Sequence, residues 1–307
     1  NTVTAIRTEA FSGCCKLTSI VIPDYTREIG AYAFCQCKKI ISITIPNSIK
    51  EIGNKAFFHC DKLASITIPG SVEHLGVNLL ARCYDLSEIR FVGETQNFKI
   101  VNDVLFDKDM SRIIWYSDQK IGSYNIPQTV KNIDSYAFFS HENLTSIVIP
   151  DSITEIQKKA FSFCFGLETV TIPNSVTSIG ERAFYKCTSL KSVTTPNSVI
   201  SIEQEAFSDC TSLTSIIISD SVTSIGDWAF RFCCKLNSVA IPSSVTFIGI
   251  GAFYGCIELT SITIPDSITS IKESTFERCY KLKTVSIPRN LKYRSNAFPN
   301  EAVISKH

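Results

Sequence analysis

A step of 23 residues recurs along most of the chain and constrains its fold more than any other feature. Each step has the motif Ala-Phe-x-x-Cys or a close variant, with the phenylalanine at Phe11, Phe34, Phe57, Phe138, Phe161, Phe184, Phe207, Phe230, Phe253 and Phe276. A fixed period of this length is typical of architectures in which successive turns stack on one another. The period therefore predicts a solenoid.

One template joins consecutive phenylalanines, Leu-x-x-Ile-x-Ile-Pro-x-Ser-Val-x-x-Ile-Gly, and most of it is present between Leu259 and Ile271. The alternating apolar residues of its first half predict one short parallel strand in each turn. Stacked at about 4.8 Å per strand, the turns would form a curved rod roughly 55 to 60 Å long. Twelve strand ends are visible, at Ile22, Ile45, Ile68, Phe91, Ile126, Ile149, Ile172, Thr195, Ile218, Ile241, Ile264 and Ile287.

The period is broken once, because the step from Phe91 to Ile126 is 35 residues long and contains an insertion of 12. Residues 104–116 of this stretch have two apolar runs around a polar turn. That pattern is typical of a β-hairpin.

Three motifs occur together in turn after turn: Ile-Pro after the strand, Ser-Val-x-x-Ile-Gly on the return path, and Ala-Phe-x-x-Cys before the next leucine. On these motifs, nearly all 307 residues resemble the BspA-like family of leucine-rich repeat proteins. The resemblance implies a right-handed, curved leucine-rich repeat solenoid with its parallel strands on the concave face. Short strands and 3-10 or helical turns are implied for the return path. A hairpin like the inserted one is also a feature of that family.

We predict a single leucine-rich repeat domain over the whole chain. Its expected parts are N-terminal repeats, a longer irregular repeat with the hairpin, C-terminal repeats and a polar tail, at 1–91, 92–126, 127–298 and 299–307.

The N-terminal sequence Thr2-Val3-Thr4-Ala5-Ile6 aligns with the return path of a later repeat, so the chain starts in mid-repeat without that repeat's strand. An uncovered terminal turn normally needs a cap. We therefore expect a longer parent protein, with any signal peptide, anchor or tail outside this fragment.

The charge balance narrows the choice of partner. A net charge of +1 and a pI near 7.6 give no general basic field for nucleic acid or anionic lipid. No apolar run approaches the roughly 20 residues that cross a bilayer, so no direct membrane insertion is expected. We predict a protein partner, with a glycan and self-association left open.

Thirteen cysteines invite a metal or disulfide interpretation. A zinc site needs four converging ligands, usually from close pairs such as Cys-x-x-Cys, and that spacing does not occur here. We predict no metal and a ladder of small reduced thiols, although disulfides between neighbouring coils stay open because strand spacing falls within the usual Cα separation. Ten cysteines form the column, Cys14, Cys37, Cys60, Cys83, Cys164, Cys187, Cys210, Cys233, Cys256 and Cys279, and His141 takes the corresponding place in the turn after the insertion.

No constellation of catalytic residues is apparent. The four histidines lie in separate turns, and no nucleophile-base pair, phosphate loop or dinucleotide fingerprint appears. Glycines such as Gly226 occur about once per turn and are interpreted as permitting a tight bend. We therefore predict a protein that is not an enzyme and has no cofactor.

The irregular middle of the chain is the predicted binding region. Glu88 and Arg90 place charges where other turns have serine and threonine, and the insertion adds Phe98, Trp115 and Tyr116. A projecting hairpin would present a distinguishable contact on an otherwise uniform rod. The alternative is that Trp115 and Tyr116 only seal the hairpin against neighbouring turns.

Two further features concern the surface. Asn143 begins an Asn-x-Thr sequon and is a candidate glycosylation site. Additional aromatics stand beside the phenylalanine column and are expected mostly to cover the edge of the core, with part of the strip exposed: Phe58, Phe139, Phe163, Tyr185, Phe232 and Tyr254.

Two functions remain. Resemblance to the BspA-like family implies a microbial cell-surface or secreted adhesion protein that contacts host proteins, matrix or other cells, with weak contacts adding avidity. The alternative is a cytoplasmic scaffold or inhibitor that binds one cytosolic protein, which thirteen cysteines also fit.

Overall fold

A computed structural model describes residues 3–117 and 120–307. Within these ranges the protein is a β-solenoid of about 13 turns with parallel strands and no helix. Its contacts divide the chain into two units. Unit 1 contains Asn1–Lys120 and Asn132–Ser140, and unit 2 contains Ile121–Lys131 and His141–His307. The single domain expected over 1–307 stays a prediction.

Unit 1 has two parallel ladders. The main ladder contains the longer strands, Ser42–Thr44, Ser65–Pro69 and Glu88–Val92. The short ladder on the return path contains two-residue strands, Ala5–Ile6, Glu28–Ile29, Glu51–Ile52 and His74–Leu75.

The predicted hairpin is present in unit 1. Val104–Asp107 pairs antiparallel with Arg112–Tyr116, and a further strand that the sequence did not reveal, Phe98–Val101, pairs antiparallel with the first. The carboxylate of Asp107 closes the turn, because it accepts hydrogen bonds from the backbone amides of Ser111 at 2.7 Å and Arg112 at 2.9 Å. Arg112–Tyr116 also pairs in parallel with Asn132–Ile133, which joins the hairpin to the return path.

Unit 2 repeats the same plan. Its main ladder contains Gly122–Asn125, Leu144–Val148, Thr169–Thr171, Ser192–Thr194, Ser215–Ile217, Ser238–Val239, Ser261–Thr263, Thr284–Ile287 and Val303–Lys306. Its short ladder contains Glu155–Ile156, Ser178–Ile179, Ser201–Ile202, Ser224–Ile225, Phe247–Ile248, Ser270–Ile271 and Lys292–Tyr293.

In-register pairing explains the 23-residue period. Ser178 pairs with Ser201, which pairs with Ser224, so equivalent residues of adjacent coils lie side by side. At the C-terminus the register shortens, and Thr284 pairs with Val303. The polar tail predicted at 299–307 is therefore wrong for Val303–Lys306, which form a further main-ladder strand because their backbone continues the parallel pairing.

The phenylalanine column is the centre of each unit's core. Neighbouring rings in both units are nearly parallel, with centroids 5.2 to 5.6 Å apart. Phe253, for example, has no exposed surface. Burying such rings gives most of the hydrophobic stabilisation of a coil that cannot form a core alone.

The return path combines the predicted short strands with turns rather than the expected 3-10 or helical segments. Two residues of most turns adopt positive φ, one on each side of the core phenylalanine, as at Glu205 with 53° and Asp209 with 60°. Left-handed residues at this spacing interrupt a right-handed helix. Turns therefore form here without helices in the described ranges.

Hydroxyl and thiol groups link successive coils to one another. The Ser198 hydroxyl of the Pro-x-Ser-Val motif donates to the backbone carbonyl of Val176 at 2.5 Å, and Ser221 donates equivalently to Val199. The Cys210 thiol donates to the carbonyl of Phe184 at 3.2 Å. Because adjacent coils are in register, each such bond recurs along the stack.

All thirteen cysteines are free thiols in the structure. Burial raises the pKa of the Cys210 thiol well above its ordinary value, and it raises the pKa of Cys37 to about 12. Both side chains therefore stay neutral at physiological pH, as a packing position requires.

We expect native thiol reactivity to separate the ladder from the surface. The exposed Cys14 and Cys15 should react quickly with an aromatic disulfide reagent at mildly alkaline pH, whereas the buried ladder should react only after unfolding. A titration of unreduced, denatured protein should find all thirteen thiols. A large deficit that a reductant restores would contradict the reduced ladder.

Candidate functional site

The two charged residues predicted for binding lie on the surface of unit 1. Arg90 Nε donates to Glu88 Oε1 at 2.5 Å, and the two side chains are 69% and 44% exposed. An ion pair this exposed contributes at most about 1 kcal/mol to stability. Both residues are accessible to a partner, and their role in binding stays a prediction.

The aromatics of the insertion are less accessible. Phe98 is 6% exposed and stacks on Phe91, Tyr116 is 1% exposed, and Trp115 is half-buried against the core of unit 1. Direct contact with a partner is therefore wrong for Phe98 and Tyr116, because the core already covers their rings. These positions agree with the alternative in which the hairpin aromatics seal the neighbouring turns.

Asn143 lies on an exposed segment of unit 2, where its backbone carbonyl accepts a hydrogen bond from Gly122. Its glycosylation stays a prediction.

A second set of aromatics surrounds the phenylalanine column of unit 2. Tyr185 and Tyr254 directly follow the buried Phe184 and Phe253, and Trp228 occupies a left-handed position with φ of 57°. All of these outer rings are half-buried. We call this surface the turn face; its residues are Phe163, Arg182, Tyr185, Lys186, Trp228, Arg231, Phe232, Tyr254 and Arg278.

Two glycines leave space for the turn-face rings. A Cβ atom on Gly251 would lie 2.1 Å from Trp228 Cζ3, and one on Gly255 would lie 2.5 Å from Phe232 Cδ1. Both glycines also have positive φ, which glycine adopts without steric cost. The rings of one turn therefore lie against the backbone of the next.

Cations of the turn face lie over aromatic rings. Arg231 Cζ is 4.5 Å from the centroid of Phe232, and Arg278 Cζ is 5.3 Å from that of Tyr254. Lys186 Nζ lies 5.3 Å from the ring of Phe163. Such contacts contribute about 0.5 to 1 kcal/mol at exposed sites and hold each cation in place.

A cleft of about 610 Å³ opens on this face. It crosses five consecutive turns, which corresponds to about 19 Å at the spacing of parallel strands. The residues that line it are Arg182, Tyr185, Glu205, Trp228, Arg231, Tyr254, Ser274 and Glu277.

The charges of the cleft are balanced. Arg182 donates to Glu205 at 2.5 Å, and this hydrogen bond raises the pKa of the arginine. Glu277 accepts from the Ser274 hydroxyl, and Arg231 is held over Trp228 and Phe232. Two arginines and two glutamates give the lining no formal net charge.

The sequence analysis identified part of the turn face and missed the cleft. It named Tyr185 and Tyr254 as covers of the core edge, and it left out Trp228. A usable signal was present, because Trp228 and Gly251 are 23 residues apart, as are Phe232 and Gly255. A large ring followed in its own column by glycine indicates a ring that lies over the next coil.

Other kinds of site find no support in the described ranges. No cluster of three histidine, cysteine, aspartate or glutamate residues there could hold a metal ion. No helix within the same ranges is long and apolar enough to cross a membrane.

Comparisons with known proteins agree with this architecture. The model of the BspA type leucine-rich repeat region matches residues 4–113, 108–233 and 201–306. A comparison with the curated proteins gives no match.

Solved structures of bacterial proteins are similar to this chain. A leucine-rich cell surface protein from Faecalibacterium prausnitzii is 27% identical with a TM-score of 0.64, and the match covers 95% of this chain and 64% of that one. For a leucine-rich repeat protein from Bacteroides ovatus the values are 28%, 0.58, 99% and 88%. The pneumococcal vaccine antigen PcpA shares the fold at 22% identity and a TM-score of 0.54, over 99% of this chain and 71% of its own.

The family model covers nearly the whole chain, and its in-register coils form both units. The chain therefore belongs to the BspA-type leucine-rich repeat family.

Proposed function

We propose that the chain is a non-enzymatic adhesion module of a microbial cell-surface or secreted protein, which contacts host or cell-surface proteins or matrix. The coarser part of this function follows from the family, whose fold is that of a repeat protein suited to protein interaction. Support for a surface location comes from the Faecalibacterium prausnitzii structure, which is described as a cell surface protein.

The turn face of unit 2 is the observation that favours binding most. The core of each coil is already filled by a stacked phenylalanine, as at Phe230 and Phe253. Half-buried rings outside this column are not required to fill it. Aromatic residues and arginine are the types most enriched among the residues that dominate binding energy.

A cytoplasmic scaffold or inhibitor is the second candidate. It is favoured by one observation, the thirteen free thiols, because cysteines stay reduced in the cytosol. Its curved strands could present the same surfaces to a single cytosolic protein.

Antibody labelling of the source cells should separate the two candidates. We expect an antibody against this chain to label intact cells, or to find the protein in the culture medium, because an adhesion module must reach its partner outside the cell. Permeabilised cells provide the control for total protein. Labelling that requires permeabilisation, with none in the medium, would contradict the proposal and favour the scaffold.

A further inference from the structure

We propose that the cleft of unit 2 binds a neutral glycan chain. The cleft is defined by its eight lining residues, from Arg182 in one turn to Glu277 four turns later. This inference rests on the proposed adhesion function and names a chemical class of ligand for it.

The hydrogen-bonding chemistry of the lining matches a polyhydroxyl ligand. Every one of the eight lining side chains has a polar group: arginines and the tryptophan donate, glutamates accept, and serine and tyrosine hydroxyls do both. A sugar hydroxyl likewise donates and accepts. A surface that alternates donors and acceptors therefore fits a glycan better than it fits a ligand with one kind of group.

The charge balance argues in the same direction. Arg182 and Arg231 are matched by Glu205 and Glu277 among the lining residues. An acidic polymer would meet the two carboxylates, and a basic one would meet the two guanidinium groups, so a ligand of either sign faces repulsion. A neutral chain encounters no such penalty.

The aromatic rings supply the apolar part of the contact. Tyr185, Trp228 and Tyr254 line the cleft, and Trp228 meets Tyr254 edge to face with centroids 5.6 Å apart. The C–H faces of a pyranose are apolar, so contact with such rings removes apolar surface from water while ring substituents keep their hydrogen bonds.

An extended peptide fits the same cleft less well. Peptides commonly bind by adding a strand to an open sheet edge or by inserting side chains into apolar pockets. The cleft is made of turns instead of a strand edge, and no aliphatic residue is among its lining.

The cleft is also preorganised for an elongated ligand. Trp228 lies over the backbone of Gly251, and its position is fixed by the coil below. Arg182 is held by Glu205, so the two ends of the donor set are fixed before a ligand arrives. Preorganised groups lose little conformational entropy on binding.

An array of purified oligosaccharides tests the proposal directly. The probes are neutral glucans, mannans, galactans and N-acetylglucosamine oligomers long enough to fill about 19 Å, with heparin oligosaccharides, an aspartate-rich peptide and a lysine-rich peptide as the other arms. We expect at least one neutral series to bind. Binding confined to heparin or to either peptide, or no binding at all, would overturn the assignment.

Tryptophan fluorescence places the ligand in the cleft. The chain has two tryptophans, so Trp115→Phe leaves Trp228 as the only reporter. Addition of the bound oligosaccharide should change the emission of this variant. An unchanged emission at saturating oligosaccharide, measured by another method, would place the ligand elsewhere and overturn the proposal.

Matched variants check which side chains bind. Tyr254→Ala should weaken oligosaccharide binding by about tenfold or more, while Tyr280→Ala, at an exposed tyrosine outside the lining, should leave it unchanged. Glu277→Gln keeps the shape of its side chain and should also weaken binding if its carboxylate accepts hydroxyl protons. Equal effects of Tyr254→Ala and Tyr280→Ala, or full binding by both cleft variants, would contradict the site.

The two proposals fail separately. The array uses purified chain, so its outcome does not depend on where the protein lies in the cell. Surface labelling without oligosaccharide binding would overturn the glycan assignment alone. Oligosaccharide binding by a protein confined to the cytosol would overturn the adhesion function alone.

Discussion

Replacing Phe253 with alanine is expected to lower the free energy of unfolding by about 4 kcal/mol, within the usual range for a buried phenylalanine. The ring has no exposed surface and stacks on Phe230 at 5.2 Å and on Phe276 at 5.3 Å. The variant removes two stacking contacts and leaves a cavity between coils. Urea unfolding followed by circular dichroism measures the loss.

The same variant should also reduce cooperativity. Each coil of a solenoid contacts only its neighbours, so a weak coil in the middle allows the two sides to unfold separately. Thr171→Ala is the matched control, because that side chain is exposed on the main ladder and its loss should change stability by less than about 0.5 kcal/mol. Equal losses from both variants would contradict the assignment of the core.

Gly226→Ala should lower the free energy of unfolding by about 2 kcal/mol or more. The sequence suggested that this glycine permits a tight bend, but Gly226 is absent from the glycines with positive φ. Its role is steric: a Cβ atom there would lie 2.6 Å from the backbone nitrogen of Gln204 and 2.7 Å from the carbonyl carbon of Glu203. Backbone atoms of the neighbouring coil cannot move aside as a flexible side chain can, so overpacking is costly.

Gly13→Ala is the control for Gly226→Ala. Gly13 has φ of 74° and open space around a would-be Cβ, so alanine there adds only conformational strain, about 1 kcal/mol. Thermal or urea unfolding compares the two. If Gly226→Ala proved as stable as the wild type, close approach between coils would not be the reason for this glycine.

The repeat made much of the fold predictable from sequence. Parallel coils in register place residue i beside residue i+23, so a requirement at one position of one coil recurs in the next. The phenylalanine column and the thiol column follow from this rule, and both are buried through the regular turns of unit 2. The hairpin was predictable because Asp107 and its polar neighbours separate two apolar runs.

Features that depend on contacts between unlike columns were not predictable. Ser198 bonds a carbonyl of the preceding coil, and Gly226 touches its backbone, yet neither contact appears in the spacing of one repeat. The strand Val303–Lys306 was missed because its register departs from 23. The cleft depends on which outer rings stay partly exposed, and only the structure shows that Trp228 lies over Gly251.

The adjacent residues Phe253 and Tyr254 allow the central claim to be measured within one turn. The claim is that the inner ring holds the coil and the outer ring serves binding. Side by side, Phe253→Ala should cost about 4 kcal/mol of unfolding free energy, and Tyr254→Ala at most about 1.5 kcal/mol, because only edge contacts and a cation over the ring are lost. Equal losses would mean that the turn-face rings are part of the core, and this would contradict the account.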